Sequence, residues 1–119
     1  MRKDPVTPQT HDRVIRRDTE AIVNHMMFNR DGMTPGRARR EIAIVCIAPL
    51  VDPSQSGKCW GRSTLDHVKE HPRMAKRAPS DTRHLVTLCE GHTENGARAG
   101  YQWNTAHRAE LREWLATNG

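Results

Sequence analysis

Ser63-Thr64-Leu65-Asp66-His67-Val68-Lys69 and His84-Leu85-Val86-Thr87-Leu88-Cys89-Glu90-Gly91-His92 are the two stretches from which the rest of the chain is read. Both are short and rich in apolar and β-branched residues, which predicts two strands able to pair. In an extended backbone neighbours point to opposite faces, so Leu65 and His67 share one face and Asp66 and Val68 the other. Taken alone, an Asp-His pair of this kind is a surface acid beside a half-buried imidazole. It is also the minimum equipment for phosphodiester hydrolysis. A carboxylate holds Mg²⁺ or a similar cation against the phosphate, and a neutral imidazole deprotonates water near neutral pH. A bent strand beside a helix brings Asp66 to the cation while His67 faces the water.

The cysteines lie around this pair. There are three, Cys46, Cys59 and Cys89, and an odd count argues against a pure disulfide framework. Together with His92 they make a complete tetrahedral zinc set. Cys89-Glu90-Gly91-His92 has a common zinc spacing, and its glycine suits a tight turn. Twelve residues separate Cys46 from Cys59, too many for a zinc knuckle, so that half of the signal is weak by itself. The competing reading makes all three cysteines small buried hydrophobes. The polar turns beside Cys59 and Cys89 favour ligands.

Composition supports a small stapled domain. The chain has 119 residues, of which 35% are hydrophobic, 4% aromatic and 28% charged. So short a chain buries a modest core and is expected to use a metal or an oligomer contact as a staple. Nineteen Lys and Arg against 14 Asp and Glu give a net charge of +5, which favours a polyanionic partner, nucleic acid before an anionic membrane surface. No apolar run is long enough to span a bilayer, and no apolar signal segment follows the charged start. A cytoplasmic, reducing location is expected.

Thr7-Pro8 reads as an N-cap and first helical residue, opening a helix through about Asp18; further helix is expected through Ala21, Ile22, Val23, Met26, Met27 and Phe28, with a stop at Asn29-Arg30-Asp31-Gly32. Thr34-Pro35 opens a second, basic segment carrying Arg37, Arg39 and Arg40. Ile42–Ile47 is β-branched and predicts a strand, and Pro49 to Gly57 predicts a loop. After Lys69, Pro72 and Pro79 bound a basic loop in which Arg73, Lys76 and Arg77 are placed to track a phosphate backbone, a solvated loop being the plainer alternative. Thr105 to Ala116 predicts a final helix with Leu111, Trp114 and Leu115 as its packing stripe. Asn95, Asn104 and His107 are candidate metal or phosphate ligands.

From Cys46 to about Leu115 the chain resembles the HNH endonucleases of phage and actinobacterial type. The resemblance rests on Cys46-Ile47-Ala48-Pro49, Leu65-Asp66-His67-Val68-Lys69, Arg77-Ala78-Pro79-Ser80-Asp81, His84 through His92, and Trp103-Asn104-Thr105-Ala106-His107-Arg108. It implies an α+β fold with a small ββα-metal core, a zinc ribbon and flanking helices. Residues 1–41 would form an N-terminal helical, basic arm and 42–119 the nuclease domain. It further implies DNA nicking or cleavage, His67 as general base, Asp66 on a catalytic Mg²⁺ or other divalent cation, and Cys46, Cys59, Cys89 and His92 on a structural zinc. Arg73, Lys76, Arg77 and Arg108 would meet DNA, and proteins of phage DNA packaging would be partners.

Two positions depart from the pattern. His84 stands where an Asn usually orients the catalytic histidine, and Thr93 stands where the last cation ligand is usual. That ligand would come from Asn95 or His107, with His107 preferred, or from His92 at the expense of the zinc. The departures leave a second reading, a zinc-stabilised DNA-binding or packaging-accessory module without catalysis.

Overall fold

The structure is a computed structural model that describes residues 6–68, 79–93 and 103–119. In chain order it has α1 (Pro8–Asn29), α2 (Pro35–Glu41), α3 (Ala48–Val51), a 3₁₀ turn at Pro53–Gln55, β1 (Ser63–His67), β2 (Leu85–Cys89), α4 (Trp103–Ala106) and α5 (Arg108–Asn118). It is a small α+β fold built on one antiparallel pair of strands.

Both helix starts follow the sequence signals. Thr7 accepts the Thr10 N–H through its side chain at the head of α1, and Thr34 accepts the Arg37 N–H at the head of α2, each with proline in the first turn. α1 runs 22 residues without a break. It ends where Arg30 donates its N–H to Met26 O, and Gly32, at φ 74°, turns the chain into α2. Val23 of α1, Met33 of the connection and Ala38 of α2 form a small apolar cluster between the two helices.

The strand expected over Ile42–Ile47 does not form, and an irregular segment takes its place. Its backbone is tied by isolated bonds: Val45 N–H to Ser63 Oγ at 2.9 Å, and Ile47 N–H to Thr87 O at 3.0 Å. Cys46, Ile47 and Ala48 are buried nonetheless. Of the run itself Cys46 and Ile47 are buried and Ile42, Ile44 and Val45 half-buried; Ile44 packs on the main core and Ile42 on the cluster between α1 and α2, without a ladder. Pro49, expected in a loop, sits in the first turn of the short α3.

The hairpin pairs Ser63 with Cys89, Asp66 with Val86 and His67 with Leu85. All five residues of β2 are buried. Val86 and Leu88 pack with Val68, Trp103, Leu111 and Leu115, the main core. Thr87, on the opposite face, meets α1. There Asp18 accepts the Thr87 N–H at 2.8 Å and its hydroxyl at 2.9 Å. Arg17 bonds Asp18 at 2.7 Å, the Leu85 carbonyl at 2.6 Å and the Thr82 carbonyl, with its guanidinium over the Trp114 ring of α5. Burial pushes the Asp18 carboxyl above its usual value, against the pull of Arg17 and Thr87. A raised folded value means that Asp18 favours folding most below the ordinary carboxylate range, and that this contribution is lost as pH rises through the folded value. Asp18→Ala leaves the Arg17 Nε–H and the buried Thr87 donors without their acceptor, so denaturant unfolding is expected to show a loss of about 3 kcal/mol. A change below about 0.5 kcal/mol, the range of an ordinary surface substitution, would show that this clasp does not hold α1.

The helix expected over Thr105–Ala116 is two helices meeting at His107, whose N–H reaches both Trp103 O and Asn104 O. The packing stripe is as expected: Leu111 and Leu115 are buried and Trp114 packs against the core. Among the described residues no helix is long and apolar enough to cross a membrane.

Candidate metal centre and the Asp66-His67 site

The long gap between Cys46 and Cys59 is closed by the fold. The Ile47–Thr87 bond holds Cys46 beside the end of β2. α3 and the 3₁₀ turn then carry the chain round, and Lys58 N–H bonds Gln55 O just before Cys59. Cys89 ends β2, and its carbonyl accepts the N–H groups of both His92 and Thr93, forming the turn that brings the imidazole back.

The result is a four-donor cluster in which the ligand atoms of Cys46, Cys59, Cys89 and His92 all lie within 4.8 Å of one another. Nδ1 of His92 is 3.7 Å from the Cys46 sulfur, 3.8 Å from that of Cys59 and 3.0 Å from that of Cys89. With metal–sulfur bonds near 2.3 Å and metal–nitrogen bonds near 2.0 Å, a tetrahedral ion separates such donors by roughly 3.5 Å. The cluster could hold a metal such as zinc.

Its electrostatics fit a cation. Cys59, Cys89 and burial push the Cys46 thiol far up. Hydrogen bonds from Cys46 and Cys59 pull Cys89 far down. Cys59 is pushed up to about 11, because the help of Cys46 is outweighed by Cys89 and by burial. Crowding of the three sulfurs thus works against ionising them together, and a cation among them would relieve that opposition.

Gln55, a residue with no sequence signal, completes the arrangement. His92 Nε2 lies 2.9 Å from Gln55 Oε1. Donation of Nε2–H to that oxygen leaves the Nδ1 lone pair facing the sulfurs, the tautomer a metal requires. Gln55→Leu is expected to weaken metal binding about 10- to 100-fold, read by competition with a chromophoric chelator. An unchanged affinity would mean that Gln55 does not set the tautomer. Gly91 serves a purpose other than the expected one. Its φ is ordinary, but a Cβ there would come within 2.4 Å of the Trp60 indole nitrogen. Gly61 does need a left-handed φ, 78°, and a side chain there would strike the Glu90 carboxylate.

Asp66 and His67 lie on the same hairpin. Asp66 is buried on the core face. Its carboxylate accepts the Thr93 hydroxyl, with Oδ distances of 2.7 and 2.6 Å, the Thr64 hydroxyl at 3.1 Å and the Asn104 amide at 3.3 Å. The same Asn104 nitrogen is 3.5 Å from the His67 carbonyl. His67 places Nε2 at 2.9 Å from Ser80 Oγ. Thus Thr93, the position that breaks the expected pattern, and Asn104 are brought to the carboxylate.

The other sequence candidates are placed as follows. His84 is buried, with Nδ1 at 2.7 Å from Asp81 Oδ1. His107 stacks on Trp103 at 4.3 Å with Nδ1 at 2.9 Å from the Trp103 carbonyl. That indole also meets His92 edge-on at 5.3 Å, so it lies between the rings of His107 and His92. Arg108 begins α5. Arg73, Lys76, Arg77 and Asn95 lie outside the described residues.

Comparison with known proteins returned no match: no family model, no curated protein and no solved structure matches the chain. The class that fold and site define is accordingly a small α+β protein with a Cys₃His cluster suited to a metal.

Proposed function

We propose that the chain is a metal-dependent DNA endonuclease of the HNH type, with a structural zinc on Cys46, Cys59, Cys89 and His92 and a catalytic divalent cation on Asp66. The observation that carries this reading is the placement of Asp66 and His67 side by side on β1, with the hairpin tied at its far end by the four-donor cluster. A carboxylate buried among two hydroxyls and an amide is a fitting oxygen site for a hard cation such as Mg²⁺. Asn104 is the preferred second ligand, ahead of His107 and Asn95, since turning its amide over presents Oδ1 instead of Nδ2. Such a cation neutralises charge on the scissile phosphate.

The remaining chemistry belongs to the side chains. His67 takes a proton from water, the resulting oxygen attacks phosphorus, and the P–O bond to the leaving oxygen breaks. The net charge of +5 provides the attraction for DNA, with Arg108 and the Arg73–Arg77 segment as its contacts.

The close Thr93–Asp66 bonds favour one competing reading, a zinc-stabilised DNA-binding module in which the carboxylate is only structural. A labelled duplex, followed both for binding and for strand scission with Mg²⁺ or EDTA, separates the two. Scission that requires the cation supports the nuclease. Binding with intact strands under Mg²⁺ and Mn²⁺ alike supports the module and defeats the nuclease.

A further inference from the structure

His67 has one ring nitrogen whose partner is Ser80, a side chain to which the sequence gives no role of its own. Nε2 lies 2.9 Å from the hydroxyl of Ser80, a half-buried residue close before β2. The backbone around the ring is fixed independently. Val68 N–H bonds the His84 carbonyl at 2.7 Å, and Asn104 reaches the His67 carbonyl. The resemblance gives the orienting task to His84, but His84 turns Nδ1 to Asp81 at 2.7 Å.

We propose that Ser80 is the positioning residue for His67: its hydroxyl oxygen accepts the Nε2–H, fixes the ring's rotation and tautomer, and so assigns proton abstraction to Nδ1. The inference rests on the nuclease reading for its catalytic meaning, though not for its geometry. A neutral imidazole carries one N–H and one lone pair, and which nitrogen holds which is set by the hydrogen bond that the other makes. An Nε2–H donor directed at Ser80 leaves Nδ1 as the basic nitrogen. A serine hydroxyl does this without adding a negative charge beside the phosphate.

The opposite polarity has different chemistry. If Ser80 donated to Nε2, the serine would be the activated group, and attack on phosphorus would leave a phosphoryl-serine. One experiment on the full, metal-loaded chain distinguishes the two. Nitrogen-15 NMR of the histidine rings at about pH 8, where imidazole is neutral, reads the tautomer directly. The expected result is Nε2–H at His67 in the wild type and in Ser80→Thr, with a mixture of tautomers in Ser80→Ala. In parallel, Ser80→Ala is expected to lower kcat for plasmid nicking about tenfold with KM unchanged, and Ser80→Thr to restore it. A wild-type His67 protonated at Nδ1, an unaltered tautomer in Ser80→Ala, or a phosphorylated Ser80 recovered from the reaction would each overturn the assignment. A chain that nicks nothing refutes the nuclease reading alone, since the tautomer still decides the role of Ser80.

Discussion

Removal of the metal from the Cys₃His cluster is expected to unfold the hairpin end of the molecule. Cys46 belongs to the irregular segment before α3, Cys59 to the loop before β1, and Cys89 and His92 to the turn after β2. Among the described residues few backbone bonds outside the hairpin join those segments, so a bound ion would add a direct connection among them. Without a cation the three sulfurs are left crowded together, with Cys46 and Cys59 pushed toward their neutral thiol forms. Structural zinc in small domains contributes apparent binding energies of about 10–16 kcal/mol, comparable to the whole stability of a domain of this size. EDTA treatment or Cys89→Ser should therefore abolish a cooperative thermal transition, with zinc restoring it only in the chelated wild type. Circular dichroism during heating reads both. A Cys89→Ser protein that melts like the wild type would show the cluster to be dispensable for folding.

The second large effect is expected at His67. If its imidazole is the base that activates water, His67→Ala should reduce DNA nicking about 10³-fold. Duplex affinity should then stay close to that of the wild type, because on this proposal binding would come from phosphate contacts made elsewhere. Asp66→Ala should behave differently. It removes the shared acceptor of the Thr64, Thr93 and Asn104 side chains, so it should cost both cation dependence and stability. A His67→Ala protein that nicks at the wild-type rate would remove His67 from the mechanism, and an Asp66→Ala protein with an unchanged Mg²⁺ requirement would remove Asp66 as the cation's ligand.

How legible these sites are in the sequence depends on the range of the interaction. Local signals read well. Thr7-Pro8 and Thr34-Pro35 announce helix starts through caps made within three residues, and the alternation in Leu65–Val68 places Asp66 and His67 on opposite faces. The four metal donors are legible as a set because cysteine and histidine in polar turns have few other uses. Only the fold shows how the loop through α3 brings Cys59 back to Cys46. Ile42–Ile47 misleads because an apolar β-branched run reports burial and not pairing. Asp18 and Gln55 carry no readable signal, being common polar residues whose partners lie far along the chain, and Ser80 and Thr93 stand out only through the resemblance, which names no partner for either. Asp18 in particular resembles any surface acid of a helix until Thr87 is packed against it.

The most direct measurement is the conversion of supercoiled plasmid to open circle by zinc-loaded wild-type protein and by His67→Ala, each with Mg²⁺, Mn²⁺ or EDTA. Nicking by the wild type that requires the cation and is lost in His67→Ala is the predicted result. Plasmid left supercoiled by the wild type under both cations, or nicked equally by the two proteins, would contradict it.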